Sequence, residues 1–137
     1  MKSTFEVTVE FGDSDPAQIV FYPHFFRWFD CSAWRLFEEA GLSLDVLRDD
    51  FGLIGMPIAE ARSRFIRPAR YRDQLEVTSF VSSWRRKTFD VSHEIRRDGE
   101  LLAEGMEIRV CAQRTDDGAM RAIIIPDEIR KRLSASG

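Results

Sequence analysis

Gly12-Asp13-Ser14-Asp15-Pro16-Ala17-Gln18, followed by Ile19-Val20-Phe21-Tyr22-Pro23, is the stretch whose reading decides the fold. Upstream of it, residues 4–10 alternate polar with apolar, so Phe5, Val7, Val9 and Phe11 are expected on one face of a strand. Two acids, a glycine and a proline then stop that strand and turn the chain. Pro23 suits the first turn of a helix, where its missing N–H costs nothing. From His24 to Ala40 the apolar residues Phe25, Trp28, Phe29, Ala33, Leu36, Phe37 and Ala40 recur at helical spacing, and Gly41 supplies a stop. A carboxylate-rich turn is thus held between a strand end and the start of a bulky, buried helix.

Downstream, Ser43 is placed to cap a short helix over 44–50, with Asp45 near its N-terminal end. Residues 51–57 contain Gly52, Gly55 and Pro57 and read as an irregular connection. Strands are predicted over 58–66, 74–84, 88–97, 100–114 and 120–124. Leu75, Val77 and Val81 share a face of one, and Phe89, Val91, His93 and Ile95 a face of the next. Leu102, Met106, Ile108 and Val110 are expected in step on one face of the longest. Asp98-Gly99 is a two-residue hairpin signal. Pro126 opens a last helix over 127–133, and the tail 134–137 is expected to be loose.

An antiparallel sheet needs its apolar face covered, and only the 25–37 helix is large enough to do so. The fold class is therefore α+β: a curved antiparallel sheet wrapped around one long central helix, as a single domain over 1–137.

The chain is 44% hydrophobic and 31% charged, an ordinary balance for a globular domain. No window approaches the roughly 18 uncharged apolar residues of a membrane span. The N-terminus runs straight into the first strand without a signal-peptide apolar region, and Cys31 and Cys111 form no disulfide or metal-ligand spacing, so a cytoplasmic protein is expected. A net charge of −3 argues against general nucleic-acid affinity. His24 and His93 have no Cys or acid at ligand spacing beside them, so no metal site is expected.

The run Glu10-Phe11-Gly12-Asp13-Ser14-Asp15-Pro16-Ala17, with Ile19-Val20 and Tyr22-Pro23, resembles the signature of the 4-hydroxybenzoyl-CoA thioesterase family. So do Arg27-Trp28 with Asp30, Gly55-Met56-Pro57-Ile58, Trp84-Arg85-Arg86-Lys87 and Arg121-Ala122-Ile123, in order along nearly the whole chain. The resemblance implies a hotdog fold and a homodimer that joins two sheets, usually paired again into a homotetramer with active sites at subunit interfaces. It implies hydrolysis of an aromatic or other acyl-CoA, without metal or prosthetic group, coenzyme A being part of the substrate.

Carried over by the same resemblance, Asp15 would be the catalytic carboxylate, as nucleophile or as general base. The backbone N–H of Tyr22, at a helix N-terminus, would polarise the thioester carbonyl. Arg85, Arg86 and Lys87, with Arg121, would grip the coenzyme A phosphates, since guanidinium forks match phosphate oxygens. Gln18, Phe21, His24 and Phe25 are candidates for the acyl pocket. Gln18 stands where the family has Gly, which permits positive φ, and His24 where it has Asn; both bear on acyl specificity.

Plainer roles stand beside these. Asp15 could be a turn residue only, with Asp13 bonding backbone N–H groups. The 85–87 run could be a solvated hairpin end, Asp30 an exposed or ion-paired acid within the helix, and His93 a buried, hydrogen-bonded histidine. The helix aromatics are mostly core. Two rival functions follow: a hotdog protein that binds an acyl thioester without cleaving it, supported by Gln18, and a hydratase or dehydratase that would need His24.

Overall fold

The structure, a computed structural model, describes residues 1–135. In chain order it contains β1 (Lys2–Thr8), a 3-10 turn (Phe11–Asp13), α1 (Pro23–Glu39), α2 (Leu44–Phe51) and β2 (Ile58–Phe65). There follow β3 (Gln74–Trp84), β4 (Thr88–Arg97), β5 (Glu100–Arg114), β6 (Met120–Ile123) and α3 (Asp127–Ser134). Of the tail, Ser134 closes α3, and 136–137 lie outside the described residues.

The sheet is antiparallel throughout, in the order β1-β3-β4-β5-β2, with β6 pairing the end of β5. Helix α1 lies across its inner face, burying Phe25, Trp28, Phe29, Ala33, Leu36 and Phe37 at the predicted spacing. This is the hotdog arrangement. Ser43 caps α2 by accepting from the Val46 N–H at 3.3 Å. The Asp98-Gly99 turn takes positive φ at both positions, as a tight hairpin requires.

Two expectations fail. Phe11 does not join the inner face: β1 ends at Thr8, and the 3-10 turn swings Phe11 out to 78% exposure, edge-on to Tyr71. The Asp13 carboxylate stabilises that turn by accepting from the Glu10 N–H at 2.9 Å. In β5, Leu102 faces inward but Met106, Ile108 and Val110 do not. The β4–β5 register slips between Ile95 and Arg96, so that Leu102 and Ala103 are both fully buried. A bulge shifts the alternation by one residue, and Gly105, Glu107, Arg109 and Cys111 then face the helix side. Gly105 is required there, because a Cβ at this position would lie 2.4 Å from the Phe29 ring.

The consequence is a polar belt across the middle of the core. Ser32 of α1 contacts Ser79 of β3, Ser79 Oγ lies 2.6 Å from His93 Nδ1, and His93 Nε2 donates to Glu107 Oε1 at 2.8 Å. Arg109 donates to the same Glu107 oxygen, to the Met56 carbonyl at 2.9 Å and to Asp30 Oδ1 at 2.7 Å. Ser32, Ser79, His93, Glu107 and Arg109 are all buried. The belt separates two apolar clusters: Phe25, Trp28, Phe29, Leu75, Val77 and Ile95 on one side, and Ala33, Leu36, Phe37, Phe89, Val91 and Cys111 on the other.

Candidate active site

The turn that opens the sequence argument folds back on itself. Asp15 N–H donates to the Ile19 carbonyl at 2.9 Å, and Gln18 N–H to the Asp15 carbonyl at 2.9 Å. A bridge between Ser14 and Val20 closes the loop. Asp15 Oδ1 accepts from the Ala17 N–H at 2.8 Å, which fixes the carboxylate while leaving Oδ2 without a partner among the described residues. Asp13 takes the supporting role: besides the Glu10 N–H, its carboxylate accepts from Arg27 at 3.2 Å. Its carbonyl receives the Phe21 N–H at 2.8 Å and so ties the turn to the start of α1.

Gln18 adopts φ +67°, the left-handed region where glycine is at ease. The turn therefore keeps a glycine-like backbone despite the side chain, which is exposed.

At the helix entrance, Pro23 has no N–H, His24 N–H donates to the Phe21 carbonyl at 3.0 Å, and Phe25 N–H to the Tyr22 carbonyl at 3.1 Å. The Tyr22 N–H has no protein acceptor among the described residues. A free donor at a helix N-terminus, one short loop from a half-engaged carboxylate, can polarise a carbonyl while the acid acts on it.

Beside Tyr22 lies an apolar groove of about 440 Å³, lined by Ile19, Val20, Phe25, Phe65 and Ile66 with Arg67 at its rim. Of the proposed acyl-pocket residues, only Phe25 lines it; Gln18, Phe21 and His24 do not. His24 instead sits with Nδ1 3.7 Å from Asp13 and 3.4 Å from Arg27. Phe21 is exposed, edge-on to Tyr22.

The basic residues lie elsewhere. Arg85, Arg86 and Lys87 form the β3–β4 turn. Its flanking Trp84 and Phe89 pack with Phe37, in the cluster built on the C-terminal half of α1. A 17-residue helix is about 25 Å long, so within one chain the turn is far from Asp15. Arg85 spends its fork on Thr88 Oγ1 and both oxygens of Asp90, whereas Arg86 and Lys87 are exposed. Arg121, on β6, donates to Gln113 at 3.3 Å.

The charged residues missed from sequence are Glu107 and Arg109, which read as a solvent face and are buried as a pair. Burial by itself would raise the Glu107 carboxyl, but the hydrogen bond from His93 and the charge of Arg109 hold it below its ordinary value. His93 is the buried, hydrogen-bonded histidine expected, and Asp30 is ion-paired to Arg109. Among the described residues there is no group of three or more His, Cys, Asp or Glu set to hold a metal, and no helix is long and apolar enough to cross a membrane.

A central helix wrapped by an antiparallel sheet, with a carboxylate turn and a free N–H at the helix entrance, defines a hotdog-fold protein. The model of the thioesterase-like superfamily matches residues 9–133, and the chain belongs to that family. It is 36% identical over 132 residues to the 4-hydroxybenzoyl-CoA thioesterase of Pseudomonas sp. strain CBS-3, covering 90% of this chain and 91% of the relative. The structure of that enzyme superposes with a TM-score of 0.88 at 32% identity, over 96% of this chain and 98% of the other. An Asp-to-Asn mutant of the 4-hydroxybenzoyl-CoA thioesterase, complexed with 4-hydroxybenzoyl-CoA, gives the same TM-score of 0.88 at 33% identity, over 97% and 99% of the two chains. A 1,4-dihydroxy-2-naphthoyl-CoA hydrolase of Synechococcus sp. is 28% identical, over 93% of this chain and 86% of the relative.

Proposed function

We propose that the protein is an acyl-CoA thioesterase that hydrolyses aromatic CoA thioesters to the free acid and coenzyme A. The observation that carries this reading is the unpartnered Tyr22 N–H beside a turn that anchors one oxygen of Asp15 and leaves the other free. The names and close similarity of the relatives support the same reaction class.

In this reading the thioester carbonyl sits on the Tyr22 N–H, and the helix N-terminus stabilises the oxyanion, an effect worth about 3 kcal/mol for one such donor in comparable sites. In one route Asp15 attacks the carbonyl carbon, expelling the coenzyme A thiolate and forming an acyl–aspartyl anhydride that water then hydrolyses to the acid and the free carboxylate. In the other it takes a proton from a water that attacks the carbonyl and expels the thiolate directly. In both routes the thiolate takes up a proton to leave as coenzyme A. The exposed Arg86 and Lys87, with Arg121, hold the phosphates through contacts that need not change during the reaction.

The working form is proposed to be a homodimer, pairing further to a homotetramer. Two features support it: the phosphate-binding turn is far from Asp15 in one chain, and β2 is a largely exposed edge strand bordered by Tyr22, Phe65 and Ile66. The binding-only reading loses its argument, since Gln18 keeps the glycine-like φ. The hydratase reading loses its own, since His24 is engaged with Asp13 and Arg27.

The test is free-thiol release from a panel of aromatic and aliphatic acyl-CoAs, with wild type and Asp15→Asn. Turnover of aromatic substrates that drops by roughly 10²- to 10⁴-fold in the variant supports the reading. Undiminished activity in Asp15→Asn sinks the proposed mechanism, and absence of turnover on the whole panel sinks the function.

A further inference from the structure

The β3–β4 turn is held from below by α3. Arg130 donates through one guanidinium nitrogen to the Arg85 carbonyl and, at 3.2 Å, to the Arg86 carbonyl. Its guanidinium lies over the Trp84 ring, 5.3 Å from the centroid. The Ile125 N–H takes the remaining approach to the Arg86 carbonyl at 3.0 Å. Helix α3 is itself anchored by Ile129 and Leu133, both fully buried against Phe37 and Phe89. From within the turn, Arg85 N–H donates to the Thr88 carbonyl at 2.9 Å, and the Arg85 side chain bonds Thr88 and Asp90. The Arg85 and Arg86 carbonyls of the three-residue basic turn are thus both held by one side chain from a different element, with the Ile125 N–H sharing the second. A solvated hairpin end would leave those carbonyls to water.

The geometry points to Arg130 as a positioning residue that clamps the 85–87 turn in one shape, so that Arg86 and Lys87 present a preformed grip for the phosphates of a nucleotide-bearing thioester. This rests on the thioesterase reading above and names how this chain prepares its anionic subsite. Arg85 acts with the clamp as an internal brace. Among the described residues Arg130 has no carboxylate within ion-pair distance, so its charge also adds to the positive field under the turn. Ordering the turn in advance removes an entropy cost that each binding event would otherwise carry.

The experiment compares benzoyl-CoA with S-benzoyl-N-acetylcysteamine, the same thioester without phosphates, in wild type, Arg130→Gln and Arg130→Lys. The clamp predicts a KM for benzoyl-CoA about three- to tenfold higher in Arg130→Gln, with kcat kept and the truncated substrate unaffected. Arg130→Lys retains the charge but not the planar fork over Trp84, and is expected to recover only part of the loss. Equal effects on both substrates, no effect on either, or full recovery by lysine each overturn the clamp while leaving the thioesterase standing. So does a wild type that does not distinguish the two substrates. If wild type hydrolyses neither, the functional reading has failed on its own, and calorimetric titration of coenzyme A decides the clamp. Weaker binding by Arg130→Gln upholds it, and unchanged or absent binding overturns it.

Discussion

His93 Nε2 donates to Glu107 Oε1 at 2.8 Å, between two side chains that are both sealed from solvent. Arg109 shares the same carboxylate, so the three form one charged unit inside the core.

Replacing Glu107 by Gln removes one of the two carboxylates that balance the buried Arg109, leaving only the half-exposed Asp30, and a loss of up to about 3–5 kcal/mol of stability at pH 7 is expected. The native carboxyl lies below its ordinary 4.5, so its contribution is complete above that pH and fades as acid carries the protein through the lower native value. Glutamine has no such titration. Urea unfolding of both proteins from pH 7 down to pH 3 should show the gap narrowing below about pH 4.5. A constant gap would refute the assignment.

Gln18 holds a left-handed backbone conformation that costs a non-glycine residue about 1 kcal/mol. Gln18→Gly should therefore raise unfolding stability by about that amount, measured by denaturant midpoint at constant slope. A decrease would mean that the Gln18 side chain makes a compensating contact.

Gly105→Ala places a methyl group 2.4 Å from Phe29, whose ring is stacked on His93 with centroids 4.9 Å apart. The ring is buried and packed against His93 and Phe26, so a destabilisation of about 1–3 kcal/mol is expected from calorimetric melting. A neutral result would show that α1 can lift from the sheet.

The thiols divide sharply. Cys31 is exposed on α1, whereas Cys111 is buried in β5 and burial pushes its thiol up to about 11. Alkylation of the native protein at pH 8 should label Cys31 alone, with Cys111 modified only after unfolding. Mass spectrometry of the labelled peptides reads this directly.

Most of the architecture was legible because its signals are local. The helix from Pro23, the Ser43 cap and the Asp98-Gly99 hairpin each depend on neighbours within a few residues. The inner face of β5 was not, since a bulge at Leu102 is set by pairing with β4 and leaves no mark of its own. Once the alternation slips, Met106, Ile108 and Val110 turn outward and charged residues take the core. Glu107 and Arg109 look like solvent residues singly, and only their meeting with His93 and Asp30 makes them internal. At the site, the Asp15 turn and the free Tyr22 N–H lie close together in sequence as well as in space. The Arg130 contact links positions 45 residues apart, with no periodicity to announce it.

The polar belt that runs from Ser32 to Arg109 divides the molecule into two compartments with separate apolar fillings. Phe29 on one side stacks on His93 and Phe37 on the other lies against Arg109, so changes at these two should couple through Glu107, whereas changes away from the belt on opposite sides should add. One compartment carries the groove beside Tyr22 and Phe25, and the other carries the platform of Trp84, Phe89 and α3 under the basic turn. On the proposed function the acyl group and the nucleotide would be held by different compartments, which would let one scaffold be retuned to new acids without relearning its carrier.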